Sequence, residues 1–320
     1  MTKLFFATDI HGSERCLRKF VNAGKYYDVD VLVLGGDLTG KMIVPIVKQQ
    51  DGSFRAEFQG NNILARNQGE HDSLVANIQL NGMYPYATDE AEMTKLQQDH
   101  ELVDRLFTKL MLESIERWLN LAQEKLTGTK TKMFMTGGND DRLEVDQLLK
   151  SKQTENVLDP DGEVVKLDEH HEMINCSYSN ATPWKTPREL SEQELEERIN
   201  QMTSKVEDIE NCIFNLHMPP IDSGLDTCPK LDTSVYPPLP ILENGNLVMF
   251  AAGSVAVRKV IEKQQPLLGL HGHIHESRGI RRFNRTLCVN PGSEYSEGIV
   301  RGVIVTLDKN KVKGYQLTSG

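Results

Sequence analysis

Seven side chains of this 320-residue chain are of types that bind divalent cations, and they fall in five short patterns. Asp9 and His11 stand in Asp9-Ile10-His11, Asp37 in Gly36-Asp37, and Asn139 in Gly138-Asn139-Asp140. His217 stands in Leu216-His217-Met218-Pro219-Pro220, and His273 and His275 in Gly272-His273-Ile274-His275. Together they offer carboxylate and amide oxygens with imidazole nitrogens, and no thiolate. That donor set suits borderline divalent ions such as Mn²⁺, Fe²⁺, Zn²⁺, Ni²⁺ or Co²⁺. Seven donors exceed one tetrahedral zinc and suit two ions, about 3.5–4 Å apart, that share a carboxylate. Singly, each pattern has an ordinary explanation, such as a capping Asp beside a surface His or a Gly-Asp turn. Their weight comes from position: each directly follows a predicted strand. In a parallel α/β sheet the carboxyl ends of strands converge on one edge, where ligand sites form.

The elements that would position them alternate along the chain. Lys3–Thr8, Val31–Leu34, Met133–Thr136, Cys212–Leu216, Pro266–Leu270, Thr286–Asn290 and Gly302–Leu307 read as short apolar strands. Ser13–Ala23 reads as a helix stopped by Gly24. This alternation predicts βαβ units and a largely parallel sheet. The second crossover is long. Met42–Gln59 reads as a hairpin about Asp51-Gly52, followed by a polar stretch and a helix that starts at Thr88-Asp89-Glu90. Val103, Leu106, Leu110, Ile115, Leu119, Ala122 and Leu126 keep helical spacing to Gly128, which makes this helix the core crossover. Residues 41–86 are then a hairpin and loop insertion in one domain spanning 1–320. It is expected to border the metal site and restrict substrate size, or to form a subunit contact. Glu189–Asp208 reads as an acidic surface helix.

Composition narrows the partners. Lys plus Arg number 36 against 46 Asp plus Glu, a formal net charge of −10. That balance disfavours an extended nucleic-acid surface or an anionic membrane as partner. No apolar stretch approaches the roughly 18 residues of a membrane helix. Leu4–Ala7 is too short for a signal-peptide core. Cys16, Cys176, Cys212, Cys228 and Cys288 are odd in number and far apart, as expected of reduced thiols in a cytoplasmic protein.

The ordered set resembles the calcineurin-like metallophosphoesterase family, whose order is D-x-H, G-D, G-N-H-[DE], an isolated H, then G-H-x-H. The likeness runs from Asp9 to His275, and the turn Asn290-Pro291-Gly292-Ser293 is typical of the small bacterial and archaeal members. It implies an α/β fold in which two mixed β-sheets pack as a sandwich flanked by helices, in four layers. It also implies a dinuclear site: one ion on Asp9, His11 and His275, the other on Asn139, His217 and His273, with Asp37 bridging. The implied activity is hydrolysis of a small phosphoester or nucleotide, monoester or diester, by metal-activated water without a covalent intermediate. The alternative is a binding or scaffold protein of the same fold, since some members lose their ligands. All seven positions here keep a ligand-type side chain.

One position departs from the family pattern. The family places a His directly after the motif Asn, as proton donor or phosphate contact, and here Asp140 follows, then Asp141. An unperturbed Asp is ionised at pH 7 and cannot inherit that role. Either the pKa of Asp140 is raised beside Asp141, or a His such as His71 reaches over from the insertion, or the acid is missing. Arg278, Arg281, Arg282 and Arg285 form either a phosphate clamp or a solvated hairpin arm. His170-His171 reads as a surface pair, and Asn180–Trp184 as a turn bearing an aromatic ring. An oligomer is possible.

Overall fold

The structure is a computed structural model that describes residues 1–320. The strands of its three larger sheets are β1 (Thr2–Ala7), β2 (Val31–Gly35), β3 (Ile43–Lys48), β4 (Phe54–Phe58), β5 (Asn61–Ala65) and β6 (Tyr84–Thr88). Then follow β7 (Lys132–Thr136), β8 (Val157–Leu158), β9 (Val164–Lys166), β10 (Glu172–Cys176) and β11 (Ile213–Leu216). The last are β12 (Leu268–Leu270), β13 (Gly279–Phe283), β14 (Thr286–Asn290), β15 (Arg301–Asp308) and β16 (Lys311–Ser319). The helices are α1 (Glu14–Tyr26), α2 (Gln68–Leu80), α3 (Glu90–Gln98), α4 (His100–Leu126), α5 (Glu144–Ser151), α6 (Glu192–Thr203) and α7 (Val255–Gln264).

Two six-stranded mixed sheets carry the fold, in the orders β16-β15-β1-β2-β7-β8 and β13-β14-β12-β11-β10-β9. The period-two alternation of the strands decides which residue enters which layer. Leu4 and Phe6 of β1, Val31 and Val33 of β2 and Phe134 of β7 meet Met173, Ile213, Leu268, Leu270 and Val289 of the other sheet. The intervening residues Phe5, Ala7, Leu32, Leu34, Met133 and Met135 turn outward and pack on α1, α4 and α5. On the far side Ile174, Phe214 and Leu216 pack on α6 and α7. Four layers result: helices, sheet, sheet, helices. The alternation read from the sequence predicted one largely parallel sheet, and this is corrected to the two mixed sheets that the family resemblance implies. A continuous apolar run reports burial on both faces but not which sheet a strand joins.

Three boundaries also differ. The first helix runs through Gly24 to Tyr26 because Gly24 packs against Leu32 of β2, and the chain turns at Asp28, with φ 52°. The long crossover helix is two helices. Asp99 breaks it and caps α4, its Oδ1 accepting from Leu102 N at 2.9 Å. The insertion is more than a hairpin and a polar stretch. After the expected β3–β4 hairpin come β5, α2 and β6, which complete a sheet in the order β5-β4-β3-β6. Its core is Val44, Ile46, Ala56, Phe58, Leu74 and Ile78. Only Leu74 and Ile78 of α2 are buried, too few to mark a helix by periodicity.

The helix expected over Glu189–Asp208 is α6, entered through a capping box of Ser191 and Glu194, with Leu195, Ile199 and Met202 buried. His170-His171 is not a surface pair. His171 is buried, its Nδ1 lying 2.7 Å from Asp168 Oδ2, a carboxylate that also accepts from Thr2 Oγ1. Residues 227–251 form an arm of short hairpins for which the sequence offered no reading. It leaves Tyr236, Leu239, Leu242, Leu247 and Met249 exposed. No helix is long and apolar enough to cross a membrane.

Candidate metal centre

The five loops that carry the seven side chains follow β1, β2, β7, β11 and β12, three from one sheet and two from the other. The loops meet where the sheets' carboxyl edges face each other. Asp9 Oδ1 lies 3.4 Å from His275 Nε2, and His275 Nε2 lies 3.1 Å from His11 Nε2. Asn139 Oδ1 receives both His217 Nε2 at 3.1 Å and His273 Nδ1 at 2.7 Å. Asp37 lies between these groups, with Oδ2 3.7 Å from His11 Nε2 and Oδ1 3.5 Å from His217 Nε2. All seven residues expected from the sequence are therefore brought together, and Asp9, His11, Asp37, Asn139 and His217 are buried.

This convergence strains the backbone. Asp9, His11, Asp37 and His273 have φ of 54°, 37°, 48° and 63°, the left-handed region that non-glycine residues avoid. Strain of this kind, about 1–3 kcal/mol per residue, persists where the surroundings over-determine it and clusters at functional sites. Two glycines permit the approach. A Cβ on Gly36, at φ 123°, would stand 2.4 Å from His217 Nδ1, and one on Gly138 would stand 2.3 Å from Asp37 N.

The donor set fits bound cations on electrostatic grounds. His217 Nδ1 donates to Gly35 O at 3.1 Å, which leaves Nε2 of a neutral ring as a lone pair aimed at three oxygens. Lone pairs facing lone pairs require a positive charge between them, a proton or a metal. In the metal-free protein the proton serves. Burial works against it, but Asp37 and then Asp9 lift His217 to about 9. Burial pushes His11 down to about 3 and His273 to about 4, so both rings are in the neutral form that ligates metal. Burial would raise Asp9, yet its bond to His275 and the charge of His217 bring it to about 2.

Around the seven lies a set of supports that the sequence did not reveal. Asp141 is fully buried and accepts from the backbone N–H of Leu38, Thr39 and Gly138 at 2.9, 2.8 and 2.7 Å. It thereby ties the Asp37 loop to the Asn139 loop. Arg188, 0 % exposed, donates Nε to Asp141 O at 2.7 Å and Nη2 to Arg142 O at 2.9 Å, and pairs with Asp146 at 2.7 Å. Thr186 Oγ1 accepts from Asn139 Nδ2 at 2.8 Å. Tyr295 lays its ring 4.6 Å from that of His11. Asp141 had a signal in its place beside the Asn139 motif. Arg188 had none, because it sits among charges that read as the start of a surface helix.

Asp140 does not draw on Asp141 as its neighbour. Its backbone N donates to Asp37 Oδ1 at 3.0 Å, and its Oδ2 lies 2.6 Å from Lys41 Nζ. Burial first, then the charge of Asp37, raises its pKa against the pull of Lys41. His71 does not reach the site. It stays in the insertion, its ring 4.4 Å from that of Phe54 and tilted against it, and bonded to Gln68. Arg278, Arg281 and Arg282 direct their guanidinium groups to the carbonyls of Thr318, Ser223 and Arg285, and Arg285 pairs with Glu210. Arg281, Arg282 and Arg285 lie on the hairpin of β13 and β14, with Arg278 directly before it. The insertion borders the His11 loop, where Ser13 Oγ donates to Leu80 O at 3.1 Å and Gly40 N to Tyr84 Oη at 2.7 Å.

One buried carboxyl behind Arg188 yields a stability test. Burial, helped by the charges of Asp161 and Asp146, lifts Asp159 to about 6. A carboxyl whose folded pKa exceeds its unfolded value of about 3.9 holds its proton more tightly when folded. Stability is therefore expected to fall between about pH 4 and pH 6 by about 2–3 kcal/mol and to stay lowered above. Asp159→Asn should raise the urea midpoint at pH 7.5 and leave it unchanged near pH 4. An equal midpoint at pH 7.5 would contradict this.

No protein-family model matches the sequence. The uncharacterised protein MJ1162 of Methanocaldococcus jannaschii is 31% identical over 156 residues, 48% of this chain. The matched region spans 61% of that relative's length. The crystal structure of TT1561 of Thermus thermophilus superposes over 100% of this chain and 98% of that one, with TM-score 0.53 and 12% identity. A second solved chain matches over 99% of this chain and 98% of its own, with TM-score 0.57 and 14% identity. At such identities the likeness shows the fold alone, a mixed α/β sandwich.

Proposed function

We propose that this chain is a metal-dependent phosphoesterase that hydrolyses a small phosphoester or nucleotide at a dinuclear centre. The observation that carries the reading is the meeting of five strand-end loops in two oxygen–nitrogen groups. Asp9, His11 and His275 form one, Asp37, His217 and His273 the other, and each could hold an ion. Asn139 would join the second group, and Asp37 lies within reach of both. When bound, the ions would supply Lewis-acid charge for phosphoryl oxygens and a water acidic enough to attack near neutral pH.

The chain's own residues hold that site in form. The His273 backbone N–H donates to Asp9 at 3.1 Å, and Thr8 Oγ1 donates to Asp9 Oδ2 at 2.7 Å, so this carboxylate is fixed before any ion arrives. Gly35 O fixes the His217 tautomer. Asp141 and Arg188 hold the two central loops in register. Such preorganisation is what electrostatic catalysis requires.

The test is a screen of the Mn²⁺-loaded protein against phosphomonoesters, linear diesters and cyclic nucleotides, with a leaving-group series on whichever class reacts. No imidazole beyond the seven reaches the site, and Asp140 is paired with Lys41 as a carboxylate, so the rate should depend steeply on leaving-group stability. A flat dependence lost in Asp140→Asn would instead make Asp140 the acid. Nitrophenyl esters should exceed alkyl esters by about the 10²–10⁴-fold that general acid catalysis contributes. Asp140→His should flatten that dependence. A metal-loaded protein inert toward every class would overturn the reading in favour of a scaffold.

A further inference from the structure

On the reading that this site hydrolyses phosphoesters, we propose that Lys41 is a catalytic residue. Its ammonium, held by Asp140, contacts the phosphoryl group and the departing oxygen in place of the imidazole that the motif lacks. Lys41 opens the insertion, and its backbone position is fixed from Gly40, whose N–H donates to Tyr84 Oη. Its Nζ lies 2.6 Å from Asp140 Oδ2, and the same Oδ2 lies 3.9 Å from His11 Nδ1. Asp140 is pinned in turn by its backbone N–H to Asp37. The pair is therefore tied to the candidate centre through the backbone of Asp140, while the lysine stem stays free to move.

Three features separate Lys41 from the other cations. Arg188 is buried beneath the loops, and Arg278, Arg281, Arg282 and Arg285 are committed to carbonyls or to Glu210. Lys41 alone among the lysines and arginines forms an ion pair with Asp140. Its side chain is 56 % exposed and that of Asp140 25 %, so the pair reaches the surface beside the buried ligands. The site itself gathers the carboxylates Asp9, Asp37 and Asp140. Bound divalent ions would offset Asp9 and Asp37, and Lys41 would offset Asp140, which otherwise repels an anionic phosphoryl group at the edge of the centre. A lysine is a compact charge on a flexible stem, well suited to following an oxygen as charge develops on it.

In the step itself, water adds its oxygen to phosphorus and gives up one proton to solvent as the phosphorus–oxygen bond to the leaving group breaks. The bonding pair goes to the departing oxygen, which Lys41 stabilises by charge, and the proton that completes the alcohol comes from solvent. Lys41→Met is expected to lower kcat by about 10²–10³-fold on alkyl esters, the usual cost of one transition-state donor. The loss should be smaller on nitrophenyl esters, so the leaving-group dependence steepens beyond that of the native protein. Inhibition by inorganic phosphate should weaken in the same variant, while metal content and unfolding midpoint stay native. Lys41→Arg should recover part of the rate, and Asp140→Asn should lose part of it. Native kcat and native leaving-group dependence in Lys41→Met would overturn the assignment of Lys41 while the phosphoesterase reading stands. A native protein without activity on any phosphoester would overturn the reading itself.

Discussion

Asp37→Ala should abolish turnover more completely than any other single substitution in the site. Asp37 directs a separate oxygen at each group, Oδ2 toward His11 and Oδ1 toward His217. Asp9 also comes within 3.8 Å of His217 Nε2, but through the same Oδ1 that faces His275. A carboxylate that serves two ions also sets their spacing, so its loss should exceed the about 10²–10³-fold that follows removal of one transition-state donor. Without metal the effect on stability runs differently. Burial penalises the Asp37 charge, but His217 first, then His11 and His273, more than offset that penalty and hold its pKa well below the ordinary value. The metal-free variant should therefore unfold below the native midpoint at neutral pH, since it leaves His217 without its main partner. Divalent metal should raise the midpoint of the native protein by mass action and leave that of Asp37→Ala nearly unmoved. The measurement is a pair of thermal scans with and without Mn²⁺, beside initial rates. Full activity in Asp37→Ala would contradict the role.

Arg188→Met should be the most destabilising change outside the apolar core. The guanidinium is fully buried and makes bonds to Asp141 O, Arg142 O, Ser177 Oγ and Asp146. Removing it leaves two carbonyls and a carboxylate without their donor. Breaking a buried ionic network in this way costs about 3–5 kcal/mol. The same bonds hold the turn that carries Asn139, so the folded fraction should also lose metal affinity. Arg188→Lys keeps the charge but not the planar fork, and should recover only part of either property. Urea midpoints with metal titrations on the three proteins check both effects. A native midpoint in Arg188→Met would sink this reading.

The candidate metal ligands were more legible in the sequence than the scaffold that supports them. Asp9, His11, Asp37, Asn139, His217, His273 and His275 stood out because each follows an apolar strand, and strand ends are where loops can converge. The chain showed which strands exist but not how they divide. Val31–Leu34 and Cys212–Leu216 have the same apolar look and lie in different sheets. The insertion was legible as an insertion but not as a folded unit. Its β5 buries only Ala65 and its α2 only Leu74 and Ile78, so neither period rises above its surroundings. Arg188 and Lys41 are charged residues among many, and only tertiary contact distinguishes the buried one from the paired one. His171 misled for the same reason, since its neighbour His170 is exposed while Asp168 lets His171 stay inside.

The most direct measurement is the number of divalent ions that the native protein retains. After removal of metal, reconstitution with Mn²⁺ and dialysis, elemental analysis against protein concentration should give two ions per chain. Asp37→Ala treated alongside should fall well short of that value. One ion or none per chain in the native protein would contradict a dinuclear centre, whatever activity it shows.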